Sequence, residues 1–127
     1  MAASESVTPV ELLASGMHSR LILCACSEGV PVLLKATRLM DPQTAQRAAR
    51  EIAHTAREEL GPFVVHSRGW FATPGELFLT LDYNPGGDVE LLIDREGSLN
   101  AGAARFYAGC LALALEALHE HNIVHVR

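Results

Sequence analysis

The sequence predicts an α+β fold: a five-stranded antiparallel sheet carrying one helix, followed by two further helices. Three observations predict it. Strand-like runs fall into two groups, three before a capped helical segment and two after it. The sharpest breaker in the chain, Pro85-Gly86-Gly87, follows the last of those runs. Beyond the breaker, a segment rich in Leu and Ala keeps helical periodicity to about residue 120.

The elements follow in order. Residues 1–7 read as a loose tail. Residues 10–13 make a short strand ending near Gly16. Residues 20–26 (RLILCAC) and 30–36 are apolar and partly β-branched, and the turn at Glu28-Gly29 joins them as a hairpin. Asp41 is placed to cap a helix whose first residue is Pro42; this helix runs to about residue 60 and stops at Gly61-Pro62. Strands over 63–71 and 76–83 flank the turn at Thr73-Pro74-Gly75. After the breaker, Asp88 caps a short helix over 89–95 that Gly97 ends. Asn100 then caps the long helix, with Leu111, Leu115 and Leu118 on one stripe.

Composition bounds the function. A chain of 127 residues, 49% hydrophobic and 20% charged, is one globular domain with a buried core. A net charge of −5 argues against nucleic acid as a partner. Cys24, Cys26 and Cys110 show neither disulfide nor zinc spacing, so reduced thiols in a cytoplasmic protein are expected. The N-terminus lacks the pattern of a signal peptide, and the apolar run CLALALEAL is too short to span a membrane. His121 and His125 would share a face only if the helix continued, and residues 122–124 read as a loop-to-strand segment, so no metal site is expected at His119, His121 and His125.

The stretch LFLTLDYNPGGDVELLIDREGSLNAGAARFYAGCLALALEALHEHNIVH, residues 77–125, resembles the eukaryotic-type protein kinase domain. It is most similar to serine/threonine kinases of the cyclic-nucleotide-dependent and related group. "DYNPGGD" and "ARFYAG…ALEALHEHNIVH" carry the resemblance together. It implies a kinase-like N-lobe over 8–83, a hinge over 84–88 and the first C-lobe helices over 89–127.

The resemblance also implies an ATP site. Leu81 would stand at the back of the adenine pocket as gatekeeper. Asp82 and Asn84 would offer backbone groups to the ring edge, since a planar heterocycle needs a donor and an acceptor in fixed register. Asp88 would bond the ribose hydroxyls, beside its reading as a helix cap. Lys35, on the third strand, would hold the α- and β-phosphates, with Glu51 as its helix partner. Of the glycine-rich loop, aligned on residues 14–21, only Gly16 survives; the loop's glycines let the backbone approach phosphate closely.

His125 matches the first position of the catalytic loop. Val126 stands where the family has arginine and Arg127 where it has the catalytic aspartate; with Val126 as an insertion, Arg127 is the motif arginine. The 127 residues contain no catalytic-loop Asp or Asn, no Asp-Phe-Gly magnesium ligand and no activation segment. The expectation is therefore a fragment of a serine/threonine kinase domain, an ATP-binding lobe inactive as this chain alone. In the complete domain ATP with magnesium is the cofactor and a protein the substrate. The alternative is a non-catalytic, pseudokinase-like interaction module. In either case part of the 105–118 surface is expected to stay exposed, ready for self-association or a partner.

Overall fold

The computed structural model describes residues 6–125. They form two compact units: one comprises the chain through Glu58 together with Val65–Tyr83, the other Glu59–Val64 and the chain from Asn84 onward.

The first unit is a five-stranded sheet in the order β1-β2-β3-β5-β4, all neighbours antiparallel. The strands are β1 (Val7–Ser15), β2 (Ser19–Cys26), β3 (Pro31–Arg38), β4 (Ser67–Ala72) and β5 (Glu76–Asp82), with helix α1 (Pro42–Thr55) between β3 and β4. β1 is longer than the four residues expected. It reaches back to Val7 through pairing with β2, and register shifts after Pro9 and Leu12 absorb its irregular pattern. Of the expected tail, residues 1–5 lie outside the described residues and Val7 already belongs to the strand.

Alternation across the sheet decides which side chains meet. Cys24, Val32 and Leu34 point to one face and form its core, with Val7, Ile22, Phe71 and Phe78 packed on them. Phe71 and Phe78 are cross-strand partners whose rings stack at 4.7 Å. Arg20 and Glu76 form an ion pair of 2.7 Å, bracketing β3 from its two neighbours.

α1 begins as its sequence indicates. The Asp41 carboxylate accepts a hydrogen bond from the Thr44 N–H at 2.7 Å, and the Asp41 N–H donates to the Thr44 hydroxyl, a reciprocal capping box. The helix stops at Thr55, short of residue 60. There the Thr55 hydroxyl donates back to the Glu51 carbonyl, and the Arg57 N–H reaches only three residues back, to His54. A 3-10 turn, Glu58–Leu60, follows.

Residues 63–66, expected as the start of a strand, are not in β4. Gly61 sits at φ 79°, and Leu60 and Val64 pack with Leu118 and Ile123 as the core of the second unit. Apolar residues that serve another core look strand-like in sequence while running as a loop.

The second unit holds helices α2 (Val89–Glu96) and α3 (Ala101–Glu120), each capped as expected. Asn100 accepts from the Ala103 N–H at 2.8 Å, and Gly97 ends α2 at φ 83°. α3 closes with Asn122 in the left-handed region, φ 58°. Its N–H bonds the His119 carbonyl, and the Ile123 N–H bonds the Leu118 carbonyl. This Schellman turn folds Ile123 back onto Leu118, and both are 9% exposed.

Over its 20 residues α3 is long and apolar enough to cross a membrane by length and composition, with a mean hydropathy of 1.3 across its most apolar window. The nine-residue run read from sequence understated it, because the helix carries that character back to Ala101. Its surface is partly bare: Phe106, Leu111 and Leu113 are exposed, Leu115 is half-buried and Leu118 is buried.

Candidate functional site

Lys35 lies on β3, the middle strand, with Leu21 of β2 and Leu79 of β5 directly opposite. An ammonium among leucines needs an anion or water. It has both. Its Nζ donates to both carboxylate oxygens of Glu51 on α1, at 2.7 and 2.9 Å, and the two side chains remain 27% and 37% exposed. Glu58 and Glu59 lie within the span expected as helix, which was to run to about residue 60. Both fall in the turn beyond the end of α1, leaving Glu51 as the acid that reaches Lys35.

Leu81, 7% exposed, is on the same sheet face as Lys35, opposite Leu33. Asp82 ends β5, and its exposed carboxylate accepts from Arg68 Nε at 2.6 Å. Leu81 and Asp82 belong to the first unit with Lys35 and Glu51, whereas Asn84 and Asp88 belong to the second. The Asn84 carbonyl accepts from the Gly87 N–H at 3.2 Å, closing the turn at the breaker. The Asp88 carboxylate accepts from the Leu91 N–H at 2.9 Å, so it caps α2.

Gly16 sits in the tight β1–β2 turn, its N–H bonded to the Ser19 carbonyl at 2.8 Å. Its backbone is not in the left-handed region, and an added Cβ would meet only ordinary contact at 3.6 Å, so this turn does not itself require glycine. His125 is exposed beyond α3, while Val126 and Arg127 lie outside the described residues.

Two features of the site escaped the sequence reading. Arg68 engages Asp82 through a register shift between Ser67 and Gly69 that no local pattern announces. Leu33 shares a face with Lys35, which the alternation Val32-Leu33-Leu34-Lys35 carries in plain view.

Among the described residues no group of three or more His, Cys, Asp or Glu side chains could hold a metal ion. The three cysteines are free, and burial pushes the Cys24 thiol up, leaving it an inert core residue.

The model of the protein kinase domain family matches residues 8–126 of this chain. The chain belongs to the protein kinase family. Its relatives are serine/threonine kinases. The kinase chain is 38% identical to serine/threonine-protein kinase SCH9 of Candida albicans over 60% of its own length and 11% of that protein. It is 30% identical to ribosomal protein S6 kinase beta of Caenorhabditis elegans over 71% of its length and 18% of that protein. Against serine/threonine-protein kinase sck2 of Schizosaccharomyces pombe the figures are 28%, 95% and 20%. It therefore spans a fifth or less of each of these relatives and carries part of a kinase domain. A crystal structure of Rad53 in complex with AMP-PNP shares its fold, with a TM-score of 0.80 over 95% of this chain and 32% of that one, at 16% identity. α3 lies within the span matched by the kinase family. Kinases of this family use ATP and magnesium.

Proposed function

We propose that this chain is the nucleotide-holding part of a serine/threonine kinase domain, with Lys35 as its phosphate ligand and Glu51 as the residue that positions it. The observation that carries the reading is the two-bonded Lys35–Glu51 pair on the central strand. The pair keeps a cation extended over the sheet face, partly solvated and ready for the α- and β-phosphates of ATP. ATP supplies the phosphoryl group; the chain's own residues bind and orient it.

In this proposal Leu81 closes the back of the adenine site, and the Asp82 carbonyl and Asn84 backbone read the ring edge. The Asn84 carbonyl already holds the Gly87 N–H, which favours the Asn84 N–H as the group offered. Asp88 keeps its capping bond and presents carboxylate to the ribose as well. Gly16 lets the β1–β2 turn approach phosphate. The division into an N-lobe, a hinge over 84–88 and C-lobe helices belongs to the same proposal, as does a cytoplasmic setting.

The described residues do not fit magnesium, having no cluster able to hold it. With no carboxylate after Asp94 except Glu96, Glu116 and Glu120, the 127 residues also offer no aspartate beyond α3 to position a nucleophile. The purified chain is expected to bind ATP weakly and to transfer no phosphate to a generic protein substrate. Phosphate transfer that disappears in Lys35→Ala would overturn this.

The bare face of α3 favours a second reading alongside the first, a surface for self-association or for a partner. Phe63, Val89, Tyr107, Cys110, Leu111 and Ala114 line an open apolar groove of about 420 Å³ there.

A further inference from the structure

We infer that the bare side of α3 pairs with α3 of a second copy of this chain, antiparallel and about a two-fold axis, with Arg105 of each copy against Glu116 of the other. The inference deepens the reading of α3 as a surface for association and rests on it.

The side in question faces away from the core of its unit. Leu118 is buried, and Cys110, Ala114 and Ala117 are half-buried; together they mark the covered side of the helix. On the other side, Ala101, Arg105, Ala108, Ala112 and Leu115 recur at alternating steps of four and three residues. That is the spacing at which one helix meets another along its length. The first four are exposed, and Leu115 is half-buried at the margin. Leu111, 61% exposed, borders the row on one flank and the exposed Glu116 on the other.

Two opposite charges on this side stand without partners. Neither the Arg105 nor the Glu116 side chain forms an ion pair or hydrogen bond among the described residues. They lie about three turns apart, roughly 16 Å, and so on nearly the same side of the helix. A two-fold axis midway between them supplies both partners. It passes between Cys110 and Leu111, reverses the second helix, and sets each Arg105 opposite a Glu116, twice over. α3 extends from Ala101 to Glu120, so the same axis also passes through its midpoint. The register that pairs the charges therefore overlaps the two helices along their whole length. It also brings Glu120 of each copy to the N-terminus of the other α3, where a carboxylate is favoured. A parallel pair would set Arg105 against Arg105 and Glu116 against Glu116. A lipid surface would have to take in both charges unpaired.

The test is sedimentation equilibrium of the full 127-residue chain at low ionic strength, with Arg105→Glu, Glu116→Arg and Arg105→Glu/Glu116→Arg beside the original. Both positions are exposed, and each variant is first checked for a native melt. The original is expected to dimerise. Each single reversal places two like-charge contacts in the pair and should weaken the dimer roughly tenfold or more. The double reversal should restore it. So should an equimolar mixture of the two single variants, in which every contact again joins opposite charges. Self-association indifferent to all three changes overturns the inference and leaves the association surface standing. A chain that is monomeric at every concentration overturns the pairing, and binding of that monomer to zwitterionic lipid vesicles assigns the face to lipid instead.

Discussion

Lys35 and Glu51 hold each other at 2.7 and 2.9 Å with both side chains still reaching water. Solvent screens such a pair, so its contribution to folding is small. Glu51→Gln is expected to change stability by about 0–1 kcal/mol while weakening ATP binding, because a loosened Lys35 must be ordered when phosphate arrives. A thermal melt and a titration on the same variant separate the two effects; a collapse of the fold would make Glu51 a structural residue first. Asp41 behaves differently. Hydrogen bonding from the Thr44 N–H holds its carboxyl below the usual carboxylate range. A lowered folded pKa stabilises the protein above the unfolded pKa, and that stability is lost as pH falls through the folded pKa. Asp41→Asn keeps a capping oxygen but cannot titrate. Its melt at neutral pH should stay close to the original, with a shallower decline below about pH 4; an unchanged acid limb would remove Asp41 from the account. At this scale the sequence was legible where chemistry is local. Asp41 and Lys35 stand out by their neighbours, whereas the Arg68–Asp82 pair depends on a strand irregularity and could not be read.

Elements were read well where a breaker or a cap is written into the chain, and poorly where an apolar residue serves a distant core. Asp41, Asp88, Asn100 and Gly97 all bound helices as the sequence indicates. Residues 63–66 misled because Val64 packs with Leu60, Leu118 and Ile123 rather than in the sheet. β1 is longer than its pattern shows for the opposite reason: Pro9 and the register shifts break its alternation while its pairing with β2 persists. The Pro-Gly-Gly break was plain, but sequence did not say which glycine is needed. Gly87 has φ 77°, and a Cβ there would meet Leu91 Cδ1 at 3.2 Å; Gly86 has open space. Gly87→Ala is therefore expected to destabilise the second unit by roughly 1–2 kcal/mol, and Gly86→Ala to be close to neutral. Chemical denaturation of both variants decides it, and equal effects would contradict the backbone argument. Likewise Ile123→Ala, which empties the Schellman turn's contact with Leu118, should cost about 2–5 kcal/mol.

Across the whole molecule, two features were legible: the order of elements and the apolar excess of α3. The distribution of that excess was not. Leu118 turns into a core and Leu115 is half-covered, while Leu111 and Phe106 are 61% and 64% exposed. A lysine on the stripe therefore tests surface exposure at Leu111 rather than at Leu115. Leu111→Lys should lower hydrophobic-dye binding and self-association with little change in melting, and Leu118→Lys should unfold the second unit. Dye binding equal in Leu111→Lys and the original would show that this face is covered. The central claim is that a kinase-family sheet presents Lys35, held by Glu51, to the phosphates of a nucleotide. Its most direct measurement is an NMR titration of the 127-residue chain with ATP, repeated on Lys35→Ala. Weak but saturable shifts are expected at Lys35, the Gly16 turn and Asp82, all absent from the folded Lys35→Ala chain. Saturable shifts that persist unchanged in Lys35→Ala, or no saturable shift at any of those residues, would contradict it.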